Sequence, residues 1–268
     1  MAGIPLNSTR AANRPDNKPE MLSLGVILAR AGSKGLPDKC VRSVLGRAMI
    51  QYTFDHALAS RLLDGAVLTT DSAAATELAH ERGVEVISRP PELASDTATV
   101  DAAARHAVEV WEVRHDEQVD AVVLLAANIP VRPAELIDRG LRKLYDTCCD
   151  SVRSVAPVDK RHPDWMVRMD GDEMRQYREN SIHRRQDLEP LHYLDGAMQI
   201  VTRRALFAAL DAPDDPQAFL GRDRRALVLR PDDVVDVDEM IDLYVAEAIL
   251  RSRREHPRIA RMTQTASQ

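Results

Sequence analysis

Residues 22–40 of the chain read LSLGVILARAGSKGLPDKC. The run from Leu22 to Ala29 is apolar, short and rich in branched side chains, which is typical of a buried strand. A loop with two glycines, a serine and several cations follows at once. A strand followed by such a loop predicts a phosphate-binding turn, although a plain glycine-rich basic turn would have the same composition.

The residue types in this loop suit a polyphosphate. Gly32 and Gly35 allow backbone N–H groups to turn toward a ligand, and Ser33 lies between them. The positive charges that a polyphosphate would neutralise come from Arg30, Lys34 and Lys39. Neither the G-x-x-x-x-G-K-[S/T] loop nor the G-x-G-x-x-G fingerprint is present, so the motif is of a different type.

Length and composition predict an ordinary globular protein. The chain has 268 residues, of which 44% are hydrophobic and 29% charged, with a net charge of −6. This length indicates one or two domains with a sizeable core. The negative charge disfavours a general nucleic-acid or membrane-surface binder, which would need a basic face.

The cysteines and the ends of the chain indicate a reducing compartment. Cys40, Cys148 and Cys149 are odd in number and do not form a disulfide or zinc pattern. We therefore expect a cytoplasmic protein without a membrane segment. Residues 1–20 are polar and are expected to be a disordered lead-in, and residues 258–268 a flexible tail.

Short apolar runs alternate with longer amphipathic ones, a pattern that predicts an α/β fold with a mostly parallel, mixed sheet. The predicted strands are 22–29, 65–71, 84–88, 119–125, 151–157, 197–201, 226–229 and 234–237. The predicted helices are 49–63, 73–82, 96–110, 133–145, 203–210 and 238–252. Residues 158–195 show little periodicity and are expected to protrude from a domain that covers residues 21–257.

Two acidic positions are candidates for ligand contacts. Asp71 follows a predicted strand, where α/β sheets bind ligands, but it could equally cap the next helix. Asp236 and Asp238 would project to one face of an extended segment. Their mutual repulsion is relieved by a hard divalent ion such as Mg²⁺. The alternative for Asp238 is a helix cap, which would leave Asp236 unexplained.

The segment from Ala29 to Cys40 resembles the signature of the CMP-sugar synthetases (acylneuraminate cytidylyltransferases). That signature is Ala-Arg-x-Gly-Ser-Lys-Gly-[Ile/Leu]-Pro-x-Lys-Asn, so Cys40 stands in place of the usual Asn. Later segments are similar too, and the resemblance extends from about Leu22 to about Leu250. It implies a Rossmann-like nucleotidyltransferase core, a homodimer with the protruding segment at its interface, and Mg²⁺ as cofactor.

The resemblance also implies roles for individual residues. The triphosphate would be held by the catalytic cations Arg30, Lys34 and Lys39 and by Mg²⁺ on Asp236 and Asp238. The other nucleotide contacts it implies are Ala29, Gly32, Ser33, Gly35, Cys40, Asp71 and Arg89. The family glutamine that helps to hold the sugar is Ala126 here, and Asn128 is a replacement polar group. The sugar-acid contacts it implies are Asn128, Arg184, Arg185 and Gln186, although a solvated charge run would explain the two arginines as well.

The reaction implied by this resemblance is the transfer of CMP from CTP to a nine-carbon, sialic-acid-like 2-keto sugar acid, with release of pyrophosphate. An eight-carbon acid, another nucleotidyl transfer, or a nucleotide-binding domain without activity are the alternatives. The expected partners are CTP and the acid, without nucleic acid or membrane.

Overall fold

The computed structural model describes residues 21–32, 36, 38–212 and 214–256. The strands are β1 (Ser23–Leu28), β2 (Ser43–Val44), β3 (Arg47–Ala48), β4 (Gly65–Thr70), β5 (Glu85–Ser88), β6 (Ala121–Ala126), β7 (Ser151–Pro157), β8 (Val167–Asp170), β9 (Glu173–Gln176), β10 (His192–Thr202) and β11 (Arg224–Val228). The helices are α1 (Met49–Leu58), α2 (Ala73–Glu81), α3 (Pro91–Ala94), α4 (Val100–His115), α5 (Leu136–Thr147), α6 (Arg203–Ala208) and α7 (Met240–Glu255). The predicted lead-in 1–20 and the tail 258–268 lie outside the described residues.

One seven-stranded sheet has the order β11-β7-β10-β6-β1-β4-β5. Its neighbouring strands are parallel except for β10, which runs antiparallel to both β6 and β7. The predicted α/β class with a mostly parallel, mixed sheet is therefore confirmed. The central strands β1 and β6 are nearly continuous apolar runs because both of their faces are covered by protein.

Helices cover both faces of this sheet. On one face, Leu68 and Leu125 pack with Phe54 of α1 and Leu141 of α5. On the other face, side chains of β1, β4 and β6 pack with α4 and α6, which contribute Val108, Trp111 and Leu206. Among the described residues, no helix is long and apolar enough to cross a membrane.

The carboxyl ends of the parallel strands meet at one edge of the sheet. Leu28, the last residue of β1, pairs with Thr69 of β4 and with Ala126, the last residue of β6. Because β10 is antiparallel, it begins at this edge instead of ending there. We call this side of the sheet the carboxyl edge.

Three predicted helix boundaries are wrong, and side-chain hydrogen bonds explain two of them. The predicted helix 49–63 ends at Leu58, since the Asp138 carboxylate accepts hydrogen bonds from the Ser60 hydroxyl and from the N–H groups of Arg61 and Leu62, which hold a loop. The predicted helix 96–110 begins at Val100, because the Thr99 hydroxyl accepts from the N–H of Ala102 at 3.3 Å. The helix predicted from 133 begins at Leu136.

The protruding segment is more regular than predicted. It contains the β8–β9 hairpin, whose residues are exposed, and β10 begins inside it at His192. The predicted strand 234–237 is absent, and only an isolated bridge between Val131 and Val235 forms there. Even so, Val235 and Val237 are buried while Asp236 and Asp238 are exposed, so the expected alternation of faces holds.

Candidate functional site

A cleft of about 340 Å³ opens at the carboxyl edge of the sheet. Its lining includes the loop after β1, the segment before α4 and the ends of β6 and β10. The lining residues include Ala29, Arg30, Gly32, Lys39, Cys40, Arg89, Asp96, Thr99, Leu124, Ala126, Asn128, Gly196 and Gln199. Most of the described nucleotide-contact candidates therefore lie around one cavity.

The loop after β1 is tied to both neighbouring segments. The N–H of Ala31 donates to Asp71 Oδ1 at 2.8 Å, so Asp71 fixes the loop. The helix after Asp71 is capped by Ser72 instead, whose hydroxyl accepts from Ala75. Arg30 reaches across the cleft to Asp96 at 2.7 Å. The predicted contacts Ser33, Lys34 and Gly35 lie outside the described residues.

Arg89 forms part of the buried cleft wall. Its guanidinium donates to the carbonyl of Thr69 at 2.8 Å and to the Thr69 hydroxyl at 3.3 Å. Burial lowers the pKa of Arg89, and the Asp71 charge opposes this shift. The half-buried Cys40 thiol lies in the same wall, and burial raises its pKa. Cys40 therefore contributes a neutral side chain to the site.

The acidic pair lies opposite the loop. Lys39 Nζ is 2.7 Å from Asp238 Oδ1. The pKa of Asp236 is raised, first by partial loss of hydration in the cleft and then by the charge of Asp238. Asp242 has a structural role, since its carboxylate accepts from the N–H groups of Asp238 and Glu239 at the start of α7.

Asn128 joins β6 to the acidic segment. Its amide donates to Asp236 Oδ1 at 2.5 Å and to the carbonyl of Val237 at 3.2 Å. Gly196 lies next to Asp236 with φ of +73°, and a Cβ there would be 3.3 Å from Ile129 and 3.6 Å from Asp236 Oδ2. Close approach and left-handed backbone together require a glycine at this position.

Arg132 is a buried residue for which the sequence analysis predicted no role. Its guanidinium is 2% exposed and donates to the carbonyls of Ala126, Ile129 and Ala197 and to the Thr53 hydroxyl. Burial lowers the pKa of Arg132 to about 9. Arg132 thus connects the end of β6 with the middle of β10.

Three further polar residues on β7 and β10 were not predicted. Gln199 lines the cleft, Arg153 is its register partner on β7, and Asp195 is buried beside Gly196. Asp195 accepts from the Ser154 hydroxyl and from the N–H of Ala197, and burial raises its pKa. The available signal was a polar residue inside each apolar strand, at Arg153 in SVRSVAP and at Gln199 in GAMQIV.

Arg184, Arg185 and Gln186 lie apart from the cleft, in and next to the short turn Arg185–Asp187 of the protruding segment. Arg184 is paired with Asp187 at 2.8 Å and Arg185 with Asp159 at 3.0 Å. Within one copy of the chain, the structure does not bring these predicted sugar contacts next to the cleft residues.

The chain is similar to several known proteins. An N-acylneuraminate cytidylyltransferase of Streptococcus agalactiae serotype V is 33% identical over 184 residues, which cover 67% of this chain and 43% of that protein. A CMP-N,N'-diacetyllegionaminic acid synthase of Legionella pneumophila is 28% identical over 245 residues, which cover 88% of this chain and 99% of that protein. The match to the S. agalactiae protein thus spans less than half of that relative's length.

A solved structure shares the fold. It is a CMP:2-keto-3-deoxy-manno-octonic acid synthetase complexed with CTP, with a TM-score of 0.66, 16% identity and coverage of 87% of this chain and 99% of that one. Residues 24–216 match the family model described as Cytidylyltransferase. Because this match includes the loop after β1 and almost every residue that lines the cleft, the chain belongs to the cytidylyltransferase family.

Proposed function

We propose that this protein transfers CMP from CTP to the anomeric hydroxyl of a nine-carbon 2-keto sugar acid and releases pyrophosphate. The observation that supports the proposal is the contact between Lys39, which lines the cleft, and Asp238 of the acidic pair. A nucleotidyl transfer needs both, since phosphate charge must be neutralised while the reacting atoms are held in line.

The nucleotide would lie along the loop after β1. Its triphosphate is a suitable acceptor for Arg30, Lys34 and Lys39 and for backbone N–H groups at Gly32 and the residues after it. Asp71 holds the loop in place through Ala31, and the other predicted nucleotide contacts, including Ala29, Cys40 and Arg89, form the wall beside it. The chain's own part in binding is therefore positioning and positive charge.

Asp236 and Asp238 are the residues that would hold Mg²⁺. Both are exposed, both offer hard oxygen donors, and Asn128 orients the first of them. Magnesium sites that share phosphate oxygens need only one or two carboxylates, so this pair fits the ion. When bound, Mg²⁺ supplies charge neutralisation to the phosphates.

The transfer itself is a substitution at phosphorus. The anomeric oxygen forms a bond to the α-phosphorus, the bond from that phosphorus to the β-phosphate oxygen breaks, and pyrophosphate leaves with the electron pair. The hydroxyl proton is released to the medium. Lys39 and Arg30 would neutralise the charge that develops on the departing pyrophosphate.

A nine-carbon acid is favoured by the relatives whose names print N-acylneuraminate and N,N'-diacetyllegionaminic acid, at 33% and 28% identity. The structure whose name prints an eight-carbon acid is only 16% identical and supports the fold alone. Asn128 and the small side chain of Ala126 lie at the sheet end of the cleft, where the acid would bind. We also propose that Arg184, Arg185 and Gln186 contact the acid or the triphosphate in a homodimer.

The experiment that tests the proposal is pyrophosphate release with CTP, Mg²⁺ and a panel of three acids, with and without EDTA. The acids are N-acetylneuraminate, N,N'-diacetyllegionaminate and 3-deoxy-manno-octulosonate, and ATP, GTP and UTP serve as matched nucleotides. We expect EDTA-sensitive release with CTP and a nine-carbon acid. Release only with the eight-carbon acid would move the assignment to that acid, and CTP binding without any release would indicate a domain that binds nucleotide without turnover.

A further inference from the structure

Strand β10 carries a polar residue into the floor of the cleft. Gln199 pairs in register with Leu124 of β6 on one side and with Arg153 of β7 on the other. Register partners on neighbouring strands point to the same face of a sheet. Leu124 and Gln199 both line the cleft. Arg153 therefore lies on the same face of the sheet as the cleft, one strand beyond Gln199.

The polar groups of Gln199 and Arg153 have no partner among the residues that the structure describes. The other charged or amide groups at the cleft are paired, as in Arg30 with Asp96 and Lys39 with Asp238. Both side chains are half-buried. Their polar atoms are not among the fully buried unpaired atoms of the described residues, so they are open to solvent and available to a ligand.

Arg153 lies within electrostatic range of charged residues at both ends of β7. Burial lowers its pKa, the charge of Asp195 opposes this shift, and the charge of Arg224 adds to it. Asp195 comes directly before Gly196, a cleft residue, and its Oδ2 atom is buried without a hydrogen-bond partner. Arginine stays protonated in such a setting. Arg153 therefore adds a positive charge beside Gln199 on the face of the sheet that carries the cleft.

We propose that Arg153 and Gln199 form the subsite that holds the carboxylate of the sugar acid. Arg153 supplies the counter-charge, and the Gln199 amide supplies a second donor from the cleft floor. An arginine fork matches a carboxylate in shape as well as charge. This inference rests on the proposed function and assigns the carboxylate to the sheet, since Arg184 and Arg185 lie apart from the cleft within one copy of the chain.

The test compares each acid with its C1 methyl ester, which removes the negative charge and keeps the rest of the sugar. The probes are N-acetylneuraminate and 3-deoxy-manno-octulosonate with their methyl esters. Wild type, Arg153→Met, Arg153→Lys, Gln199→Leu and Arg185→Met are assayed for kcat/KM by pyrophosphate release. Arg225→Met, an exposed arginine on the neighbouring strand β11, is the matched control. Calorimetric binding of CTP reports on folding and on the nucleotide half of the site.

We expect wild type to prefer the acid over its ester by about ten- to a hundredfold, the range for a charge-assisted pair. The ratio of kcat/KM for the acid to that for its ester should fall to near one in Arg153→Met and to an intermediate value in Arg153→Lys. The affinity for CTP should be unchanged in both variants. Gln199→Leu should raise the KM for the acid severalfold and leave that for CTP unchanged. The control should keep the wild-type ratio.

Two results would overturn the inference while leaving the proposed function intact. The first is an acid-to-ester ratio of kcat/KM in Arg153→Met that equals the wild-type ratio. The second is loss of the ratio in Arg185→Met alone, which would place the carboxylate on the protruding segment. Absence of pyrophosphate release by wild type with every acid of the panel, including N,N'-diacetyllegionaminate, would instead overturn the proposed function.

Discussion

Lys39 Nζ lies 2.7 Å from Asp238 Oδ1 across a sequence separation of 199 residues. The lysine side chain is 17% exposed, whereas the aspartate is 69% exposed. A lysine that is proposed to bind the triphosphate is therefore paired with a carboxylate that is proposed to hold Mg²⁺. On that proposal the ammonium group and Mg²⁺ would compete for the same oxygen, and this competition can be measured.

Replacing Lys39 with methionine should separate metal binding from nucleotide binding. Without CTP, Mn²⁺ affinity should rise by about threefold to tenfold, because one competing charge a few ångströms away is worth about 1 kcal/mol in water. CTP affinity should fall, since a phosphate partner is lost. Electron paramagnetic resonance titration of Mn²⁺ measures the first effect and calorimetry the second. Lys160→Met, an exposed lysine, is the control, and weaker Mn²⁺ binding in Lys39→Met would contradict the competition.

Asp238→Ala should abolish turnover without unfolding the protein. The side chain is exposed and caps no helix, because Asp242 has that role at the start of α7. We expect pyrophosphate release to fall by at least about 100-fold, since a metal ligand supplies several kcal/mol of charge stabilisation. Thermal melting should shift little. Asp232→Ala, in the exposed turn Pro231–Asp233, is the control, and normal activity in Asp238→Ala would remove the metal assignment.

Asp195→Asn should change stability in a pH-dependent way. Burial raises the pKa of Asp195 above 3.8, so the folded state binds this proton more readily than the unfolded chain. The ionised carboxylate therefore costs stability at neutral pH, and the cost disappears as pH falls from the raised pKa toward 3.8. Urea unfolding at pH 7, 5.5 and 4.5 should show the advantage of the Asn variant over wild type shrinking with acid. A growing advantage would reverse the assigned sign.

Arg132→Met should destabilise the fold by about 3 kcal/mol or more. It would leave buried acceptors at Ala126, Ile129 and Ala197 without a donor, each at a cost of about 1–3 kcal/mol. Urea unfolding measures the change. Arg225→Met, at an exposed ion pair, should leave the stability nearly unchanged. An equal loss of stability in the two variants would show that the buried hydrogen bonds of Arg132 add nothing beyond an exposed ion pair.

The β8–β9 hairpin should carry the homodimer interface. Met169 and Met174 face each other in register and are 60% and 69% exposed, an unusual placement for large apolar side chains. Met169→Lys combined with Met174→Lys should convert a dimer to a monomer in light scattering after gel filtration. Val113→Lys is the control, because Val113 is an isolated apolar residue, 84% exposed, on α4. A dimer that survives the double substitution would place the interface elsewhere.

The sequence predicted those elements that have a clear local pattern or that are buried on both faces. The bounds of β7 follow directly from its apolar run, and the acidic pair was found because two carboxylates two residues apart share a face. The β8–β9 hairpin was not predicted, since its exposed residues carry no hydrophobic period. Arg153 and Gln199 were missed for a related reason. They become neighbours only through the antiparallel pairing of β7 with β10, which no short motif encodes.

The reversed direction of β10 has a consequence for the protruding segment. The chain leaves the sheet at Pro157 and returns at His192, its register partner, and the N–H of Val158 donates to the carbonyl of Leu191 at 2.8 Å. The two ends of the protruding segment are thus hydrogen-bonded to each other where they meet the carboxyl edge. We expect residues 159–190 to tolerate insertion, deletion or exchange for the corresponding residues of a relative while the register of β7 with β10 is kept. The protruding segment would then vary independently of the cleft floor.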